Sequence, residues 1–339
     1  MISRVDHINK MRGNLLSIVI PVFNEREVLP ECLARLQQVI RQLGMAVEIV
    51  FVDDGSCDGT GEYLIDAASH HQPVRLVRLS RNFGKEAALS AGLSYARGDA
   101  VVVMDADLQD PPELIPDMVS KWQQGADVVL MQRRTRQGEG WLKRSTAYGF
   151  YWLLQKLSRS PIPVNTGDFR LMSRRVVDAL MELPERNRFM KGLFAWVGMP
   201  SVVIEYDRPE RAAGDTKWNY PGLVRLAWEG ITSFSTAPLR LATIVGLAAA
   251  TIGGAYGLWI VAKTLVLGTS TPGFPSLIAV VTFLGGCQLL GIGIVGEYVG
   301  KTYLESKQRP LYLVRDVIGD PGVAAGELVR AMPGGNARV

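Results

Sequence analysis

Between residues 241 and 296 the chain runs for 56 residues with a single charged side chain, Lys263, and that stretch limits what the whole molecule can be. It holds two uncharged runs, 241–262 and 274–296, of 22 and 23 residues. At ~1.5 Å per helical residue, each is long enough to cross roughly 30 Å of hydrocarbon. The pair reads as a transmembrane hairpin, against the alternative of two buried helices of a soluble core. Arg225 and Arg240 precede the first run and Lys301, Lys307 and Arg309 follow the second, whereas the connecting loop has only Lys263 at its edge. That bias predicts both chain ends on the cytoplasmic side. Residues 1–14 are polar and lack an apolar core, so no cleaved secretory signal is expected.

Outside that stretch the composition is that of a water-soluble domain. The 339 residues include 37 Lys+Arg and 33 Asp+Glu, and a net charge of only +4 excludes general nucleic-acid binding. Cys32, Cys57 and Cys287 have no paired spacing and no histidine nearby, which fits a reducing compartment and excludes a cysteine-based zinc site. His7, His70 and His71 stand away from every motif below and are assigned no role.

Residues 15–132 alternate short Val/Ile-rich runs (16–22, 47–53, 74–79, 100–104 and 126–131) with amphipathic stretches such as 27–43. This βαβ rhythm predicts an α/β fold with a mostly parallel sheet covered on both faces. Ligands of such sheets bind beyond the carboxyl ends of the strands, so the chemistry is expected just after these runs. The first run ends in Pro21-Val22-Phe23-Asn24-Glu25 and the second in Asp53-Asp54-Gly55-Ser56-Cys57-Asp58. Carboxylates and amides at adjacent strand ends can take hydrogen bonds from a nucleobase and a ribose. The same segment can equally be a turn capping the next helix through Ser56 or Asp58, and the two roles can coexist. The fourth run delivers Asp105-Ala106-Asp107-Leu108-Gln109-Asp110-Pro111-Pro112. Two aspartates one residue apart suit a hard cation, Mg²⁺ or Mn²⁺, completed by water and substrate phosphates; alone, the pair could simply cap a helix near Pro112.

Beyond residue 131 come Arg133, Arg134 and Arg136, then 141–157, where Trp141, Tyr148, Phe150, Tyr151 and Trp152 mix with Lys143, Arg144 and Lys156. Aromatic bodies with basic ends suit a helix lying among lipid headgroups. A second stretch, 220–234, puts Tyr220, Leu223, Ala227, Ile231 and Phe234 on one face. Each reads as an interfacial helix or as an ordinary core helix.

Segments 21–25, 53–56, Gly84-Lys85-Glu86, Gly98-Asp99 and 105–112, in this order and spacing, resemble the family-two nucleotide-sugar glycosyltransferases of GT-A fold. Gly167-Asp168-Phe169-Arg170-Leu171, 185–189, 211–217, 233–240 and Arg309-Pro310 narrow the resemblance, which spans residues 15–315, to polyprenyl-phosphate glycosyltransferases, particularly bactoprenol glucosyltransferases. The architecture is shared in part with dolichol-phosphate mannose synthases. The expected organisation is an N-terminal extension (1–14), a cytoplasmic GT-A domain (15–215), an amphipathic interfacial segment (216–240), two transmembrane helices (241–300) and a cytoplasmic tail (301–339), whose Gly-, Ala- and Pro-rich composition after Arg315 predicts mobility. The resemblance implies that Pro21, Asn24, Glu25, Asp53 and Asp54 hold the uridine end of a donor. Asp105 and Asp107, with Gln109 nearby, would hold Mg²⁺ or Mn²⁺ and the diphosphate, while Lys85 is a structural or donor-side contact. Asp168 would face the reacting sugar as base, orienter or charge stabiliser. Arg133, Arg134, Arg136, Lys143 and Arg144 would gather the acceptor phosphate, and Arg211 and Lys217 would close over the diphosphate.

The reaction so implied is inverting transfer of a sugar, glucose from UDP-glucose, to undecaprenyl phosphate at the cytoplasmic face of the bacterial inner membrane. A homotetramer and a separate flippase partner are implied in the same way. The competing readings are the same transfer with N-acetylglucosamine, galactose or mannose, a processive polysaccharide synthase, and a non-catalytic nucleotide-sugar sensor. Two spans are few for a secretion channel, no Gln-x-x-Arg-Trp motif occurs, and the intact Asp105/Asp107 pair argues against the sensor.

Overall fold

The computed structural model describes residues 14–70, 73–134, 166–186, 188, 190–207, 232, 235–267 and 273–319. They fall into an α/β unit and a helical unit. The α/β unit opens with β1 (Leu15–Val22), α1 (Leu29–Leu43), β2 (Ala46–Asp53), α2 (Thr60–His70), β3 (Val74–Leu79), α3 (Lys85–Tyr95) and β4 (Ala100–Val103). A 3₁₀ turn at Pro112–Leu114 leads to α4 (Ile115–Gln123) and β5 (Val128–Arg133). Then come β6 (Thr166–Ser173), α5 (Arg174–Glu182), α6 (Met190–Val197) and β7 (Ser201–Tyr206), and β8 (Val314–Ile318) joins after the helical unit.

The eight strands form one sheet in the order β7-β5-β6-β4-β1-β2-β3-β8. Pairing is parallel at β1–β2, β1–β4, β2–β3 and β5–β7 and antiparallel where β6 meets β4 and β5 and where β8 meets β3. The central strands are continuously apolar because helices cover both faces. Leu16, Ile18 and Ile20 of β1 join a core with Leu29, Cys32 and Leu36 of α1 and Met118 of α4. On the other face α3 lies so close that a Cβ on Gly92 would stand 2.2 Å from Val19 Cγ1. α1 shows how local chemistry draws its own limits: proline in its first turn, buried residues at 29, 32, 33, 36 and 39, and Gly44 ending it in the left-handed region at φ 62°. The strand order reverses between β1, which leads to β2, and β4 on its other side. In open α/β sheets the crevice at that reversal is where ligands bind.

The helical unit contains α7 (Ala237–Leu267) and α8 (Phe274–Ser306), which pack on one another. Within them Ala237–Ile260 and Phe283–Ser306, 24 residues each with mean hydropathy 1.6 and 1.3, are long and apolar enough to cross a membrane. Leu258 and Leu265 are 74% and 82% exposed, a surface that water would oppose and hydrocarbon would accept. Near the foot of the hairpin the Tyr298 hydroxyl donates to the Ser235 carbonyl at 2.5 Å.

The expected tail from residue 301, mobile beyond Arg315, differs from what is found. α8 continues to Ser306, and Val314–Ile318 pairs with β3, with the Ser80 N–H donating to the Leu313 carbonyl at 2.9 Å. A five-residue strand of mixed polarity gives no periodic signal of its own; pairing with an open sheet edge creates it. The interfacial stretches 141–157 and 220–231 lie outside the described residues.

Gly92→Ala tests the packing of α3 on β1. Alanine favours a helix interior by about 1 kcal/mol, whereas overpacking against Val19 costs about 1–3 kcal/mol. The expected result is a lower thermal unfolding midpoint of the purified protein; a higher one would refute the close contact.

Candidate active site

At the reversal point, beyond the carboxyl ends of β1 and β4, lies a cleft of about 270 Å³ lined by Pro21, Phe23, Glu25, Asp54, Lys85, Asp105 and Asp107 among others. Its floor is made by two loops stitched together. The Asn24 N–H donates to Ser56 Oγ (3.0 Å), the Glu25 N–H to Thr60 Oγ1 (3.0 Å) and the Arg26 N–H to Asp58 Oδ2 (3.1 Å). Asn24 adopts φ 55°, and its side-chain oxygen accepts from the Cys57 N–H at 3.0 Å. Asp58 Oδ1 accepts from the Thr60 N–H (3.0 Å) at the start of α2, so the capping role proposed for this segment is real.

Asp53 and Asp54, expected at the uridine end of a donor, both have partners within the protein. The Asp53 carboxylate is buried, accepting from the Ser56 N–H at 2.9 Å and facing Arg78 Nε at 3.5 Å. Asn24 and Asp53 therefore build the loops and do not line the cleft, because a buried carboxylate needs internal partners and finds them here. Asp54 does line it, yet its two oxygens accept from the N–H groups of Phe83 (2.7 Å) and Gly84 (2.9 Å). Gly55 lets that second loop approach: at φ 74° a Cβ there would stand 2.6 Å from the Arg81 carbonyl carbon.

Sheet register brings the acidic groups together. In the antiparallel β4–β6 pair Val103 faces Arg170, so two residues further on Asp105 comes opposite Asp168. Lys85, first residue of α3, bridges them with Nζ 2.7 Å from Asp105 Oδ1 and 2.7 Å from Asp168 Oδ2. Burial alone would push the Asp168 carboxyl up; the Lys85 ammonium overrides it and holds the group well below the usual carboxylate range. Arg170, buried, donates to the carbonyls of Gly167 (2.8 Å) and Asp168 (3.3 Å) and lies 3.8 Å over the Phe194 ring, fixing the strand end that presents Asp168.

Two further carboxyls border this group. Asp110 accepts from the Tyr206 hydroxyl at 3.1 Å and is pushed up to about 6 by burial and then by Asp105. Glu86 accepts from the Met190 N–H at 3.2 Å and is pushed up to about 7 by burial and then by Asp168. Asp107 Oδ1 accepts from the Gln109 N–H at 3.1 Å across a tight turn in which Leu108, buried, takes φ 59°. Gln109 itself does not line the cleft.

The basic run divides. Arg133 Nε donates to the Tyr206 hydroxyl at 3.4 Å, and Arg134 pairs with Glu205 (3.4 Å) and Asp207 (3.8 Å) on the β7 side. Arg136, Lys143, Arg144, Arg211 and Lys217 lie outside the described residues. Sequence reasoning left the role of Lys85 open and missed those of Glu86, Asp110, Arg170 and Tyr206. The signal was present only as membership in the Gly84-Lys85-Glu86 and Gly167–Leu171 motifs.

Among the described residues no three His, Cys, Asp or Glu side chains converge as a complete metal site. Asp105 and Asp107 both line the cleft, and their hard carboxylate oxygens are of the kind that could hold a Mg²⁺ or Mn²⁺ ion taking its other ligands from phosphates and water.

The glycosyl transferase family 2 description matches residues 17–181. A bactoprenol glucosyl transferase of Shigella phage SfV is 51% identical over 302 residues, 89% of this chain and 98% of its own. The chain belongs to that family. A prophage bactoprenol glucosyl transferase homologue of Escherichia coli is 49% identical over 303 residues, covering 89% of this chain and 99% of its own. An uncharacterised glycosyltransferase of Synechocystis is 51% identical over 304 residues, covering 90% and 96%. The fold is accordingly GT-A, and the protein is a glycosyltransferase whose cleft lies at the β1/β4 reversal.

Glu86 provides a pH test of the site. Its carboxyl sits at about 7 in the folded protein against 4.5 when unperturbed. Folding therefore gains from the protonated form below pH 4.5 and loses that gain as pH rises through 7. Glu86→Gln keeps an acceptor for the Met190 N–H without the charge. Its unfolding midpoint should match the parent at pH 4.5 and exceed it by roughly a few degrees at pH 8; equal midpoints at both would exclude a destabilised carboxylate.

Proposed function

We propose that this glycosyltransferase moves glucose from UDP-glucose to the phosphate of a membrane polyprenol, undecaprenyl phosphate, releasing UDP. The observation that carries the reading is the Lys85 bridge between Asp105 and Asp168, with Lys85, Asp105 and Asp107 together lining one cleft. The relatives named bactoprenol glucosyl transferases support the acceptor and the sugar, and two exposed apolar helices support a substrate that stays in a bilayer.

In this reading Pro21, Phe23 and Glu25 receive the nucleoside end, and Asp105 and Asp107 hold a divalent cation and with it the diphosphate. The cation would offset charge building on the departing diphosphate. A phosphate-oxygen lone pair of the acceptor forms the new bond to the anomeric carbon as the bond to the diphosphate oxygen breaks, so one in-line displacement inverts that carbon. The acceptor phosphate has a second pKa near ~6 and is mostly dianionic at neutral pH, so no base is needed to create the nucleophile. Asp168 suits this economy. A carboxylate held ionised by Lys85 is a weak base, and it stabilises positive charge developing on the sugar. Arg133 and Arg134 have local partners, so contact with the acceptor phosphate falls to Arg136, Lys143 and Arg144, with Arg211 and Lys217 closing over the diphosphate. The basic flanks of the hairpin support a cytoplasmic active site.

The test is transfer of labelled glucose from UDP-glucose into organic-extractable lipid by purified protein with undecaprenyl phosphate and Mg²⁺. Label should enter lipid and vanish with chelator or Asp105→Asn. Asp168→Asn should lower kcat by about 10²-fold or more while UDP still binds. Binding of UDP without transfer of glucose would overturn the glucose assignment, and absence of transfer from any UDP-sugar would overturn the reaction.

A further inference from the structure

Lys85 holds both oxygens of Asp105, at 2.7 and 2.9 Å, while also holding Asp168 at 2.7 Å. It is the one basic side chain lining the cleft among the described residues. Its side chain is 46% exposed, so a ligand entering the cleft can reach it, while Asp105 follows β4 and Asp168 lies on β6, the strand paired with it. The backbone N–H of Gly84, just before it at the start of α3, is already taken by Asp54, so this helix end offers a phosphate the lysine side chain in place of that amide.

Asp105 is thus claimed twice, by this ammonium and by the divalent cation that the proposed function assigns to Asp105 and Asp107. A doubly charged ion on an oxygen already 2.7 Å from an ammonium meets repulsion well above thermal energy, even with strong screening. A diphosphate relieves the conflict because its oxygens can accept the lysine's hydrogen bonds. We propose that Lys85 is a resident cation that competes with the divalent metal for Asp105 and yields it when a diphosphate enters the cleft, so that metal and donor bind as a cooperative pair. This rests on the reading that Asp105 and Asp107 hold the metal.

The inference is tested without transfer or lipid, by measuring Mn²⁺ affinity of the full-length protein from the electron spin resonance signal of free Mn²⁺, with and without UDP. Without nucleotide, Lys85→Met should bind Mn²⁺ about tenfold tighter than the parent, and Lys85→Arg should resemble the parent. UDP should tighten Mn²⁺ binding to the parent by a clearly larger factor than to Lys85→Met. Lys85→Gln, which keeps a polar end, should show the same tightening and serves if the methionine variant does not fold. Unchanged or weaker Mn²⁺ binding by both neutral variants overturns the competition while leaving the metal assignment intact if UDP-dependent Mn²⁺ binding persists. No Mn²⁺ bound by any form, even with UDP, overturns the metal assignment and this inference with it.

Discussion

Like charge is the problem around which this site is organised. Asp105 and Asp168 come from neighbouring antiparallel strands and are brought opposite one another by register, and Asp107, Asp110 and Glu86 stand close by. Carboxylates facing each other on a sheet are destabilising unless a cation sits between them. Lys85 is that cation, delivered by the first residue of α3, and α3 in turn is seated against β1 by Gly92. The remaining acids are handled differently: Asp110, buried, and Glu86, half-buried, are shifted toward the protonated form, with the Tyr206 hydroxyl and the Met190 N–H as their donors.

That distribution of charge suits a reaction between anions. An ionised Asp168 is a poor proton acceptor but a good electrostatic partner for a sugar that becomes cationic in the transition state. A phosphate nucleophile already carries the electron pair a sugar hydroxyl would need help to expose. In the proposed reaction, charge stabilisation would replace base catalysis as the main task of the acidic groups. Arg170, held under Phe194 and bonded to the Gly167 and Asp168 carbonyls, makes the placement of Asp168 a property of the strand end as well as of its side chain.

The two units obey different solvents. The α/β unit buries its apolar residues between helices and sheet, while α7 and α8 leave theirs exposed along 24-residue apolar stretches. The chain leaves the sheet after β7, forms both helices and returns to add β8 at the β3 edge. The return is anchored by pairing with β3 and by Tyr312, whose buried ring meets Ser94 of α3 at 2.6 Å through its hydroxyl.

Much was legible in the chain itself. The apolar runs of β1 to β5, the uncharged runs of the hairpin, and the acidic and glycine-rich strand ends are local patterns, determined by hydrophobic period, turn chemistry and charge. Pro21, Glu25, Asp54, Asp105 and Asp107 could be placed at one mouth because parallel strands align their carboxyl ends. The antiparallel insertion of β6, the edge strands β7 and β8, and the loop-building duties of Asn24 and Asp53 could not be read in this way. Nor could the lysine that joins Asp105 to Asp168, although Lys85 and Asp168 stand 83 positions apart in the chain. Sequence determined which residues were available and which solvent each segment requires; only tertiary pairing decided which charges meet, because strand register and burial are properties of distant segments in contact and no local pattern contains them.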